Sequence, residues 1–248
     1  MRVAIFSAFP QEIKQIIKNL KAERSFERHP LTTFSARYSS KEIIIVLTGM
    51  GKANAERAVE YTVTKYSPDL ALSIGFGGAL YEGAVIGDIV WGSRVFLIQD
   101  DITETLDLPN LKDVVGKLPG NFAVREGSIL TLAKWMKKAD IKKFLPNELS
   151  LPVCDMETFF LAKPAMEKRL PFFAIRSITD RAGEEIPGEF MSVTDQHGNY
   201  KLSRALKLIL GKPKLMGDII RIGINSRKAS FHLWRAVRSI ISPNISIQ

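Results

Sequence analysis

The stretch VAIFSAFPQEIKQIIKNL, Val3 to Leu20, decides the fold class. VAIFSA is a short, continuously apolar run of the kind that forms a buried strand. QEIKQIIKNL then switches to helical periodicity, with Ile13, Ile16, Ile17 and Leu20 on one face. The same alternation recurs down the chain. EIIIVLTG reads as a strand ending in a glycine turn, ANAERAVEYTVTKY as a helix, and DLALSIGFGG as a buried strand running into a second glycine turn. GDIVWGSRVFLI reads as one or two strands. PVCDMETFFLAKPAMEKR passes from a strand end into a helix that Pro164 should kink or shorten, and PFFAIRSITD is a strand with its acid at the carboxyl end. Strand–helix alternation predicts an α/β domain with a largely parallel, mixed central sheet flanked by helices. In such sheets ligands bind outside the carboxyl ends of the strands. The polar stretches ERSFERHP and 100–126 read as loops.

Composition narrows the class. A chain of 248 residues with 46% hydrophobic and 25% charged residues is an ordinary globular protein. Cys154 is the sole cysteine, so no intrachain disulfide forms, which fits a reducing compartment. The apolar opening breaks at Pro10, Gln11 and Glu12 without a small-residue cleavage site, so it reads as a strand and not as a signal peptide. The longest uncharged apolar run, LALSIGFGGALY, is too short to cross a bilayer. The expected location is cytoplasmic. The histidines His29, His197 and His232 lack metal-ligand spacing, and no metal or other cofactor is expected.

The net charge of +9 is not spread evenly. Residues 1–200 hold 25 basic and 25 acidic residues, whereas residues 201–248 hold ten basic residues and one acid, Asp218. The expected organisation is a catalytic domain over 1–200 and a basic, amphipathic helical tail over 201–248. Without a recognition motif and with a neutral main body, nucleic acid is not an expected partner. The tail carries three apolar surfaces: Leu202, Leu206, Ile209 and Leu210; then Leu215, Met216, Ile219, Ile220 and Ile222; then Phe231, Trp234, Val237, Ile240 and Ile241. Either these pack on the domain, or residues 202–241 lie on an anionic membrane surface with Trp234 at the interface.

Two glycine turns invite a nucleotide reading. TGMGKANA lacks the first glycine of a phosphate loop (Val46 stands there) and has Ala53 where a hydroxyl should follow Lys52. It reads as a tight strand-to-helix turn. SIGFGGAL, with Gly75, Gly77 and Gly78, is either a packing turn or a place where a ligand lies against the backbone. The acids say more. Glu12, Glu157 and Asp180 each follow a predicted strand end. Each alone could be a capping carboxylate. Together on one rim they suit cleavage of an N-ribosidic bond, whose transition state builds positive charge on the sugar.

SAFPQEI, TGMGKANA, GFGGAL followed by GDIV, DMET and RSITD, in that order over roughly residues 1–190, resemble the purine nucleoside phosphorylase and nucleosidase superfamily. The pattern is most similar to its methylthioadenosine/S-adenosylhomocysteine nucleosidase branch. From RSITDRAGEEIP through the basic tail the chain looks like the hopanoid-associated phosphorylases, relatives thought to remove adenine from adenosylhopane. The resemblance implies a nucleoside phosphorylase-like fold, a homodimer, and N-glycosidase or phosphorylase activity on a 5′-substituted adenosine. By the same resemblance Asp180 is the acid at N7 of the leaving purine, and Glu12 positions the attacking water. Glu157 grips the ribose hydroxyls, Met156 lies against the sugar, and Phe76 and Gly77 pass near ribose and base. Asp155, beside Glu157, is expected to be structural. One departure concerns the nucleophile. Gly75 stands where the nucleosidases carry a hydroxyl, and the turn has no phosphate-binding arginine, leaving Arg94 or Lys52 to approach from elsewhere. Water is the expected nucleophile and phosphate the alternative; a nucleoside sensor without turnover is the non-enzymatic alternative, against which Glu12, Glu157 and Asp180 together speak.

Overall fold

The computed structural model describes residues 1–25, 31–99, 101–110, 124–146, 149–189, 211–212 and 215–242. In chain order the elements are β1 (Arg2–Ser7), α1 (Pro10–Leu20), β2 (Glu23–Arg24), β3 (Thr32–Tyr38), β4 (Lys41–Leu47), α2 (Lys52–Tyr66), β5 (Leu70–Ala79) and β6 (Ile89–Ile98). They continue with β7 (Ile102–Asp107), β8 (Val124–Leu132), α3 (Lys138–Ile141), β9 (Val153–Asp155), α4 (Thr158–Glu167), β10 (Phe172–Asp180) and α5 (Met216–Ile240).

The sheet is mixed, and its parallel strands β4–β1–β5–β10 form the middle. Alternate residues of these strands face opposite helical layers. Ile5, Ile45, Leu72, Ile74 and Ile175 share one core cluster with Ile13 and Ile16 of α1 and Leu233 and Val237 of α5. Phe6, Ile44, Val46, Ala71 and Phe172 share the other with Val59 of α2 and Phe159 and Leu161 of α4. Burial on both faces explains why the sequence runs are continuously apolar. Beyond β5 the sheet returns on itself: β10 pairs antiparallel with β6, β6 parallel with β8, β8 parallel with β9, and β9 antiparallel with β5. This closure brings the ends of β5, β9 and β10 together.

Several expectations need correction. The segment read as polar loop over 100–126 contains β7 and the start of β8; residues 111–123 lie outside the described residues. ITETLD looks polar because β7, which among the described residues pairs only with β6, leaves Glu104 and Asp107 exposed. GDIVWGSRVFLI forms one strand, broken in register between Gly92 and Arg94. SIGFGGAL is not a turn, because Gly75, Gly77 and Gly78 lie inside β5. The TGMGKANA turn does bend sharply, with φ of 77° at Gly49 and 85° at Gly51, before α2 begins. Pro164 lies inside α4, which ends three residues later.

Apart from Leu215 and Ile241, which flank it, the tail's second and third apolar surfaces lie on one continuous helix, α5, and Leu202, Leu206, Ile209 and Leu210 lie outside the described residues. Trp234, Val237, Ile240 and Ile241 are buried in the core cluster of α1 and β1, so Trp234 does not face an interface. The end of α5 is therefore part of the domain core.

Candidate active site

All six residues expected at the site line one pocket: Glu12, Phe76, Gly77, Met156, Glu157 and Asp180. Glu12 enters from the first turn of α1, Phe76 and Gly77 from β5, Met156 and Glu157 from the junction of β9 and α4, and Asp180 from the end of β10. The strand-end rule for parallel sheets thus holds. Phe9, Met50, Leu132, Trp135, Met136 and Ile186 add an apolar wall.

Glu12 is the third residue of α1 and is buried. Its Oε2 accepts hydrogen bonds from Ser7 Oγ (2.7 Å), Ala8 N (3.1 Å) and Phe9 N (3.0 Å), capping the helix start. Its Oε1 accepts from Phe76 N at 2.8 Å, a reach across to β5 that capping does not require. Burial pushes the carboxyl above its usual range, opposed by the Ser7 hydroxyl, the amides and the Arg176 charge. A Cβ on Gly75 would lie 3.0 Å from Glu12 Oε1, so the departure from a hydroxyl residue at 75 leaves Glu12 its room.

Glu157 precedes the first residue of α4. Burial, then the negative charges of Asp155 and Glu12, push it up to about 8, with Arg176 pulling the other way. Beside it a cavity of about 10 Å³, roughly the room one water needs, is bordered by Glu12, Gly75, Phe76, Glu157 and Arg176.

Asp180 is buried, and its Oδ1 accepts from Thr179 Oγ1 at 2.8 Å. Its Oδ2 pairs with Lys138 Nζ. Burial raises its pKa and Lys138 lowers it, with the rise prevailing. A Cβ on Gly78 would lie 2.6 Å from Asp180 Oδ2 and 3.0 Å from Lys138 Cε, so only glycine leaves space for this pair.

Asp155 has the structural place expected of it. It accepts from Thr131 Oγ1 at 2.7 Å, from the Thr158 amide and hydroxyl, and from Arg176 Nε at 2.7 Å. Arg176, 2% exposed, spends its other nitrogens on Ser73, Ile175 and Thr158. Sequence reading misses Arg176 and Lys138. The first lies inside RSITD and could have been found there; the second lies in LAKWMKKADIKK among four other lysines, with nothing local to distinguish it.

Neither cation considered for phosphate reaches the pocket. Lys52 is exposed and pairs with Glu56, and Arg94 pairs with Asp107. Among the described residues, no group of three or more His, Cys, Asp or Glu side chains is placed to hold a metal.

The chain is similar to known proteins in both sequence and fold. Over 228 residues the chain is 24% identical to the 5′-methylthioadenosine/S-adenosylhomocysteine nucleosidase of Shewanella loihica, covering 84% of this chain and 99% of the relative. It is 24% identical over 216 residues to the aminodeoxyfutalosine nucleosidase of Campylobacter jejuni, covering 77% and 90%. The fold matches the crystal structure of the Neisseria meningitidis methylthioadenosine/S-adenosylhomocysteine nucleosidase in complex with methylthio-immucillin-A. That match has a TM-score of 0.71 and 18% identity, and covers 97% and 98% of the two chains. Futalosine hydrolase of Helicobacter pylori matches with a TM-score of 0.68, 15% identity and coverage of 96% and 97%. The family model described as the Phosphorylase superfamily spans residues 2–210, and with that match the chain belongs to the phosphorylase superfamily of enzymes.

Proposed function

We propose that the protein is a purine nucleosidase that hydrolyses the N-ribosidic bond of a 5′-substituted adenosine and releases adenine. The observation that carries this reading is the convergence of Glu12, Glu157 and Asp180 on one pocket with an apolar wall. Asp180 delivers a proton to N7 of the base, so the bond to C1′ breaks with its electron pair leaving on a neutral purine. Glu12, its pKa raised by burial, orients and deprotonates the attacking water in the space beside Gly75, Glu157 and Arg176. Glu157, protonated at neutral pH, can both donate to and accept from the ribose hydroxyls. Met156 packs on the sugar, and Phe76 and Gly77 line the way to the base.

Water is favoured over phosphate by the cations present. Lys138 and Arg176, the two cations bordering the pocket and its small side cavity, already donate to protein oxygens. The decisive assay follows adenine release from several 5′-substituted adenosines with and without phosphate. Release without phosphate is expected, and strict dependence on phosphate would overturn hydrolysis.

Within this class we place adenosylhopane as the substrate, supported by the resemblance of the tail and by the apolar wall of Phe9, Leu132, Trp135, Met136 and Ile186. The chain has no described helix long and apolar enough to cross a membrane. Yet Met216, Ile220, Ile224 and Phe231 are exposed on α5 and fall along one helical face. Arg227, Lys228 and Arg238 are exposed on the same helix. This surface suits peripheral contact with an anionic membrane, where a polycyclic lipid would present its nucleoside end. Ile220→Gln with Ile224→Gln should weaken co-sedimentation with anionic vesicles and leave turnover of a water-soluble adenosine unchanged. Equal binding of both proteins would remove the membrane from the reading. A homodimer, carried by the resemblance, is tested by the mass in solution.

A further inference from the structure

Lys138 is placed where an acid catalyst's partner would be, and no motif assigns it a role. It opens the short helix α3, whose first amides donate to the Glu185 carboxylate (Lys138 N at 3.2 Å, Ala139 N at 3.4 Å). Its side chain and that of Asp180 are each 6% exposed. The ammonium has three donors and three acceptors: Asp180 Oδ2, Asp180 O at 3.2 Å and Arg181 O at 2.6 Å. Other ionisable groups near the pair are Cys154 on β9, Glu184 and Glu185 beyond β10, Arg221, which pairs with Glu184, and Lys142, which bonds Ala182 O. Glu12 and Glu157 stand across the same pocket. Lys138 is therefore the cation that faces the Asp180 carboxyl among the described residues.

Burial pushes the Asp180 carboxyl up, but the ammonium on one oxygen and the hydroxyl on the other favour its anion, and an anion holds no proton for a leaving group. The only proton in direct contact with it that can be passed on readily is on Nζ. We propose that Lys138 supplies, through Asp180, the proton taken up by the departing base. This rests on the reading of Asp180 as the group at N7. The steps balance. A Lys138 Nζ–H bond breaks as an Asp180 O–H bond forms; that O–H bond breaks in turn as N7–H forms. The C1′–N9 bond breaks with its electron pair on the base, water forms the new O–C1′ bond, and its proton goes to Glu12. Glu12 then loses one proton to solvent and Lys138 regains one. The first transfer turns an ion pair into two neutral groups, which a buried site tolerates well.

Lys138 acts through Asp180, so it is a positioning and proton-supplying residue. Two variants separate that role from a purely structural one. Lys138→Arg keeps the charge beside Asp180 but cannot give up a proton. It is expected to be folded and at least ~10-fold slower at every pH, as for loss of a general acid. Lys138→Met removes the counter-charge, so burial lets Asp180 carry its own proton. Its rate should be ~10-fold or more below wild type at pH 8 and should recover as the pH falls toward 5. Lys138→Arg with wild-type turnover, or Lys138→Met with a pH profile parallel to wild type, would overturn the proposal. If either variant fails to fold, infrared spectra of the wild type against Asp180→Asn decide: an ionised Asp180 at pH 7 is expected, and a neutral carboxyl band assigned to it refutes the relay. Asp180→Asn at full rate would instead sink the reading of Asp180 itself. Inactive Asp180→Asn with active Lys138→Arg would sink only the relay.

Discussion

Two buried ion pairs lie four residues apart on β10, and they illustrate two uses of the same chemistry. Arg176 and Asp155 are saturated: Thr131, Thr158, Ser73 and Ile175 complete the hydrogen bonding of both, although Asp155 lines the pocket and Arg176 its small side cavity. Asp180 and Lys138 are also buried and border the pocket, but room for them depends on a glycine in β5. The first pair locks β10 to β9 and the start of α4. The second sits at the carboxyl end of β10, beside the pocket. Neither burial nor a cavity wall distinguishes structure from chemistry here; how fully protein donors saturate the carboxylate does, with Asp155 accepting from Thr131, Thr158 and Arg176 and Asp180 from Thr179 and Lys138.

The comparison can be broken most sharply at Arg176. Arg176→Met leaves Asp155 buried without its partner and should destabilise the fold by about 3–5 kcal/mol, read from chemical denaturation. A loss under about 1 kcal/mol would mean the pair is dispensable. Asp180→Asn should stay folded, since Lys138 keeps two carbonyl acceptors, but should release adenine at least ~10²-fold more slowly. Wild-type turnover in that variant would erase the difference between the pairs. Gly78→Ala places a methyl group 2.6 Å from Asp180 Oδ2 and should lower turnover on the order of tenfold through displacement of the pair, checked by kcat with thermal stability measured alongside.

A further effect, on stability and not on turnover, concerns Glu157. Its folded pKa of about 8 lies above the ordinary 4.5, so between these values the folded state binds the proton that the unfolded state has lost. The resulting stabilisation is complete below about pH 4.5 and is lost as the pH rises through about 8. Denaturation at pH 5.5 and 7.5 should show the wild type weaker at the higher pH, and Glu157→Gln should flatten that slope. An unchanged slope would place Glu157 in a more solvated setting than its burial indicates.

Much of this was legible from local patterns. Continuous apolar runs such as VAIFSA and PFFAI, each next to a helix with one apolar face, suffice for an α/β sheet covered on both sides. The acids at the strand ends follow from the same pattern, because parallel strands point their carboxyl ends to one rim. Edge strands were harder to read. β7 leaves its acids exposed and so looks like loop. The glycines of β5 also misled, since in sequence they signal a turn, whereas here they leave room for side chains arriving from α1, α3 and β10.

The sequence by itself determined the layered α/β architecture, the rim that carries Glu12, Glu157 and Asp180, and the concentration of positive charge beyond residue 200. Periodicity and charge are local properties of the chain, readable without knowing what lies opposite. Only the tertiary structure decided that Trp234 belongs to the core, that Asp155 is bound by Arg176, and that Lys138 meets Asp180 across 42 positions of sequence. Those facts depend on which buried groups the closing sheet brings face to face, and the energy of a buried charge is set by that partner, not by its neighbours in the chain.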